Sequence, residues 1–200
     1  MLDFPYIFNN LRGAWLTMLG KSDGLSLLDI SEHGFWRSFQ ALLVALPVML
    51  LSWVIFGREL SAVAPLSLGQ VTIRAAIVDL SAWFLPLIVL ALAAKPLHLA
   101  GRFVHYVVAS NWASALLLYL TLPTLVLRLV APDAESLISL AALAFFGMAL
   151  VFIFRMTHVA LGQSYQMTIA VYLALLLISL LVIFGLQDLL GISYPTTSSG

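Results

Sequence analysis

Five stretches of about twenty mostly apolar residues, nearly all bracketed by charge, leave this chain few ways to fold. A helix rises about 1.5 Å per residue, so roughly twenty residues cross the ~30 Å hydrocarbon layer of a bilayer. The stretches run over about 38–57, 75–94, 103–127, 136–155 and 167–186. Arg37, Arg58, Arg74, Lys95, Arg102, Arg128, Arg155 and Asp188 stand at or near their ends, where charge is tolerated. The expectation is an all-α, polytopic transmembrane bundle of five helices. Buried helices of a water-soluble core would be shorter and keep a polar face. Met167–Leu186 offers only Thr168, Tyr172, Ser179 and Gly185 as relief. The strands of a membrane barrel would instead alternate over ~10-residue segments.

Composition narrows the functions. Apolar residues make up 62% of the chain and charged ones 9%, against about 25% charged in soluble domains. With no cysteine, disulfides, thiolate metal sites and thiol nucleophiles are excluded. Zero net charge gives no basic field for nucleic acid. Gly20-Lys21-Ser22-Asp23-Gly24 matches G-x-S-x-G in letters, but no strand precedes it, so it reads as a turn. His33, His98, His105 and His158 form no metal-site spacing. No catalytic, cofactor or metal set is expected, and the chain does not read as an enzyme. The partners expected are the lipid bilayer, and the chain itself or other membrane proteins through small-residue helix faces.

Orientation follows the Lys/Arg count. Arg12, Lys21, Arg37, Lys95, Arg102 and Arg155 fall on one side, and Arg58, Arg74 and Arg128 on the other. This puts the N-terminus in the cytoplasm, the chain in a cell (inner) membrane, and the polar tail (191–200) on the far side. Met1–Gly20 lacks the basic start and apolar run of a cleavable signal. Within residues 1–37, Ile7, Leu11, Trp15 and Met18 share one helix face. They suggest an N-terminal amphipathic helix, lying in the membrane surface or packed on the cytoplasmic side of the bundle. Asp29 followed by Glu32 resembles a capping box opening the first long helix.

The polar residues inside the stretches are the candidate ligand positions: Asp79, Asn111, Ser114, Arg128, Arg155 and Tyr172. Asp79, four residues into the second stretch, is expected roughly 6 Å below the outer interface. It reads as half of an ion pair with Arg128, or as a proton or cation site, the pair being favoured. Asp79, Trp83 and Pro86 share a face, and Pro47, Pro86 and Pro123 put a proline in each of the first three stretches. Asn111 and Ser114 share a face of the third, flanked by small-xxx-small pairs, and read first as helix glue. Arg155 is expected to snorkel to headgroups. The sharper alternative turns it inward to Asn111 and Tyr172, forming a cavity for a lipid phosphate or small anion.

Five spans after a cytoplasmic amphipathic segment, with short loops, resemble bacterial members of the Yip family of five-helix integral membrane proteins. The resemblance covers Phe35 to Leu190 as topology, and Lys95-Pro96 with Arg102 and Asn111-Trp112 is the most distinctive string in it. The partner-binding cytoplasmic domain of eukaryotic members is not evident in Met1–Arg37, so their trafficking GTPases are not implied. Two function classes follow. One is a non-enzymatic scaffold, lipid-interacting or membrane-organising bundle. The other is a small transporter or permease subunit using Asp79 and Arg155.

Overall fold

The computed structural model describes residues 3–193, and all regular structure among them is helical. Residues 194–200 of the expected exported tail lie outside the described residues. The elements are α1 (Phe4–Met18), a 3-10 segment (Ser22–Leu27), α2 (Glu32–Ser38), α3 (Gln40–Ser61), α4 (Leu68–Ala94), α5 (Ala100–Leu120), α6 (Leu122–Val130), α7 (Glu135–Leu161) and α8 (Tyr165–Leu189). Five helical stretches are long and apolar enough to cross a membrane: Glu32–Ser61, Leu68–Ala94, Ala100–Val130, Glu135–Leu161 and Tyr165–Leu189.

All five outrun their expected bounds, because capping chemistry, and not apolarity, sets where a helix starts. Ser67 Oγ accepts from Gln70 N while Gln70 Oε1 accepts from Ser67 N, a reciprocal box that opens α4 seven residues before Ala75. At α2 the cap is Ser31, whose hydroxyl accepts from Gly34 N at 2.9 Å. Asp29 instead braces Ser31, accepting from its N–H and hydroxyl, so the expected Asp29–Glu32 box is not the one formed. The first stretch breaks at Phe39 and the third at Thr121. Pro123 therefore sits in the first turn of α6, where its missing N–H costs nothing, and not in a continuous helix.

The long helices close into a ring in the order α3, α4, α8, α7, α5, with α4 also touching α5 across it. The end at which α4 stops and α5 begins is here the α1 end; the α3–α4 turn marks the far end. Facing inward are Trp53, Val71, Val78, Leu90, Tyr106, Trp112 and Met156, all buried. Facing outward, Leu92, Leu143, Leu181 and Phe184 are each more than 60% exposed. Water would penalise that belt, whereas hydrocarbon accepts it.

α1 packs on α5, α7 and the 3-10 segment. Its buried face is Ile7, Asn10, Gly13, Ala14, Thr17 and Met18, so the expected Ile7–Leu11–Trp15–Met18 face is split between inside and outside. Tyr6 meets Trp112 edge-on, and Trp15 meets Phe152. The other side of α1 shows Phe4 and Phe8, 79% and 67% exposed, with Trp15 on the same stripe. The 3-10 segment comes so close that a methyl on Gly24 would stand 2.5 Å from the Gly13 carbonyl oxygen. Arg37 is held over the Tyr6 ring, 3.6 Å from its centroid, and pairs with Asp3 at 3.6 Å.

Candidate functional site

Two polar clusters stand inside the ring, one toward each end. Toward the α1 end, Asn111 of α5 is fully buried. Its Oδ1 accepts from Trp83 Nε1 of α4 at 2.9 Å, and its Nδ2 donates to Ser38 Oγ of α2 at 2.9 Å. Ser38 passes its own proton to Phe35 O at 2.6 Å. One asparagine thus ties three helical segments. A cavity of about 200 Å³ adjoins it, bounded by Trp83, Pro86, Ser110, Asn111, Ser114 and Tyr172 among others. Tyr172 donates to Leu150 O of α7 at 3.1 Å, and its ring stands edge-on to Phe154.

Nearer the far end, Asp79 Oδ2 accepts from Trp53 Nε1 of α3 at 2.7 Å. With α4 beginning at Leu68, Asp79 stands eleven residues in, about 16 Å along the axis. It is therefore near the middle of its helix. The expected ion pair with Arg128 is not formed. Arg128 Nη1 instead reaches both carboxylate oxygens of Glu59, at 2.8 and 3.0 Å. Two carboxylates compete for one guanidinium, and Glu59 stands level with it at the end of α3. Among the described residues no cationic side chain comes within ion-pair reach of Asp79. A cavity of about 430 Å³ opens beside it, bounded by Trp53, Asp79, Thr121, Thr124, Arg128 and Gln187 among others.

The structure brings Asn111, Ser114 and Tyr172 to one cavity, and Asp79 and Arg128 to the other. It does not bring Arg155 to either. Arg155 is exposed on α7, its aliphatic stem beside Gly20, so the inward phosphate cavity with Asn111 and Tyr172 is not formed. The Asp79–Trp83–Pro86 face is also divided, since Asp79 borders one cavity and the other two residues border the second.

Sequence reasoning gave no role to Trp53, Ser38, Thr121 or Thr124, and took Arg74 as the boundary of the second stretch. Arg74 lies inside α4 and donates to Leu190 O at 2.7 Å. Thr121 and Thr124 flank Pro123, and a proline between two threonines was the available signal for the break.

No family model matches the chain, and neither a curated protein nor a solved structure matches it.

Proposed function

We propose that this chain is a multi-pass membrane protein of a cell (inner) membrane, acting as a non-enzymatic scaffold that contacts and organises lipid. The observation that carries this reading is the inside-out partition of side chains. The outward belt is apolar, while Asn111, Ser38, Trp83, Tyr172 and Arg74 spend their polar groups on bonds between helices. Such bonds suit a bundle that holds its shape in hydrocarbon, where an unmatched polar group is expensive. Arg12, Lys21, Arg37, Lys95, Arg102 and Arg155 belong to the α1 end and three arginines to the other. That bias supports a cytoplasmic N-terminus. The exposed Phe4, Phe8 and Trp15 stripe supports an interfacial seat for α1, one side on the bundle and the other in the headgroup layer. The order of an N-terminal helical segment and five spans supports the resemblance to the bacterial Yip family, and nothing about GTPases travels with it.

The natural absence of cysteine makes the topology simple to test. Lys21→Cys should resist a membrane-impermeant maleimide added to intact cells, and Pro132→Cys should react. The reverse pattern overturns the orientation. Reactivity of both throughout the soluble fraction overturns the membrane reading.

A second reading, solute passage, is favoured by the larger cavity with Asp79 in its wall. In liposomes, proton-coupled flux that disappears in Asp79→Asn would replace the scaffold reading with a transporter. Absence of flux in the parent chain keeps the scaffold.

A further inference from the structure

We propose that the cavity beside Asp79 binds a small organic cation, a protonated amine carrying an apolar body, with the ammonium seated at the Asp79 carboxylate. The site requires no transport and goes beyond the scaffold reading.

Three observations converge on that ligand class. The first is charge. Asp79 lies near the middle of a helix that can cross a bilayer, and its partner is the neutral indole of Trp53. A carboxylate there gains from a counter-cation, and no described residue supplies one within ion-pair reach. The second is the direction of hydrogen bonding. Thr121 and Thr124 both border the cavity, and both hydroxyl protons are committed, to Leu118 O and Thr121 O at 2.6 Å each. Their oxygens can therefore only accept. A ligand that donates hydrogen bonds fits these oxygens, and Arg128, the cationic side chain on the same wall, is already held by Glu59.

The third observation is size. One water takes about 30 Å³, so a cavity of about 430 Å³ is far larger than a proton or a bare ion needs. It falls in the range of roughly 300–1,000 Å³ typical of small-molecule pockets. Val78, Leu118, Leu125 and Phe145 supply apolar wall for the body of the ligand.

The test uses the full chain purified in detergent, with hexylammonium, hexanoate and hexanol as probes of equal chain length. Hexylammonium should raise the heat-unfolding midpoint saturably, and the other two should not. Asp79→Asn should weaken the apparent affinity at least tenfold. Leu125→Trp fills the cavity while keeping the acid and should weaken it by a similar factor. Asp188→Asn, outside the cavity, should leave it unchanged. An equal response to the three probes overturns the proposal, as does unaltered saturation in either cavity variant. If Asp79→Asn elutes as aggregate, Leu125→Trp and the probe comparison on the parent chain decide alone. Failure here leaves the topology and flux results untouched, so the two readings fail separately.

Discussion

The cluster at Asn111 and the cluster at Asp79 use the same vocabulary, an indole N–H given to a side-chain oxygen across two helices, and reach opposite ends. At Asn111 the chain of bonds closes: Trp83 gives, Asn111 takes and gives, Ser38 takes and passes its proton to Phe35 O. At Asp79 it stays open, with one indole on a carboxylate and two threonine oxygens that can only accept. A closed set of polar bonds in a membrane helix bundle is structural. An open set beside a cavity is where a ligand can complete it.

The comparison can be broken most forcefully at the closed end. Asn111→Leu leaves the Trp83 indole without an acceptor, and unfolding free energy should fall by about 1–2 kcal/mol, read by denaturant titration in micelles. Asp79→Asn is the matched probe of the open end. The amide keeps an acceptor for Trp53 and removes a charge from the apolar interior, so stability should stay within about 1 kcal/mol of the parent. If the two losses were equal, Asp79 would be helix glue and the contrast would vanish. Arg128→Gln should cost less still, within about 0.5 kcal/mol, because its pair with Glu59 is more than a third exposed on both sides. Its effect should shrink further in high salt.

The smallest effect concerns α1. Burial, then the nearby Asp29 charge, push the Tyr6 phenol above its ordinary 10.0, with Arg37 pulling partly back. The neutral form is thus favoured in the folded state. Its contribution is full below the unfolded value and fades as pH rises from about 10 through the folded one. Tyr6→Phe should flatten the alkaline fall of the unfolding midpoint while leaving the midpoint near pH 7 almost unchanged. An unaltered alkaline limb would mean that Tyr6 stays equally wet in both states.

The five long helices were legible because each is a run of apolar residues too long for anything else, a property of single segments. Their bounds were less so, because the box of Ser67 with Gln70 governs where α4 starts. Pairing was read least well. Opposite charges at matched depth pointed from Asp79 to Arg128, but Glu59 outcompetes Asp79 for that guanidinium and Trp53 takes the acid. Those choices depend on which faces of α3 and α4 meet, and both faces are apolar enough that periodicity does not select one. Arg155 is exposed at the α1 end and is not a wall of either cavity, because its place on α7 faces away from Asn111 and Tyr172.

The ring order carries a consequence for biosynthesis. α8 seats between α4 and α7, so the ribosome delivers this keystone only after the other four long helices. Until then, the Arg74 guanidinium lacks the Leu190 carbonyl it will cap, and the Leu150 carbonyl lacks the Tyr172 hydroxyl. A nascent chain halted before residue 165 would present an open seam to the insertion machinery. Truncation at that point should accordingly mark the product for proteolysis rather than yield a smaller bundle.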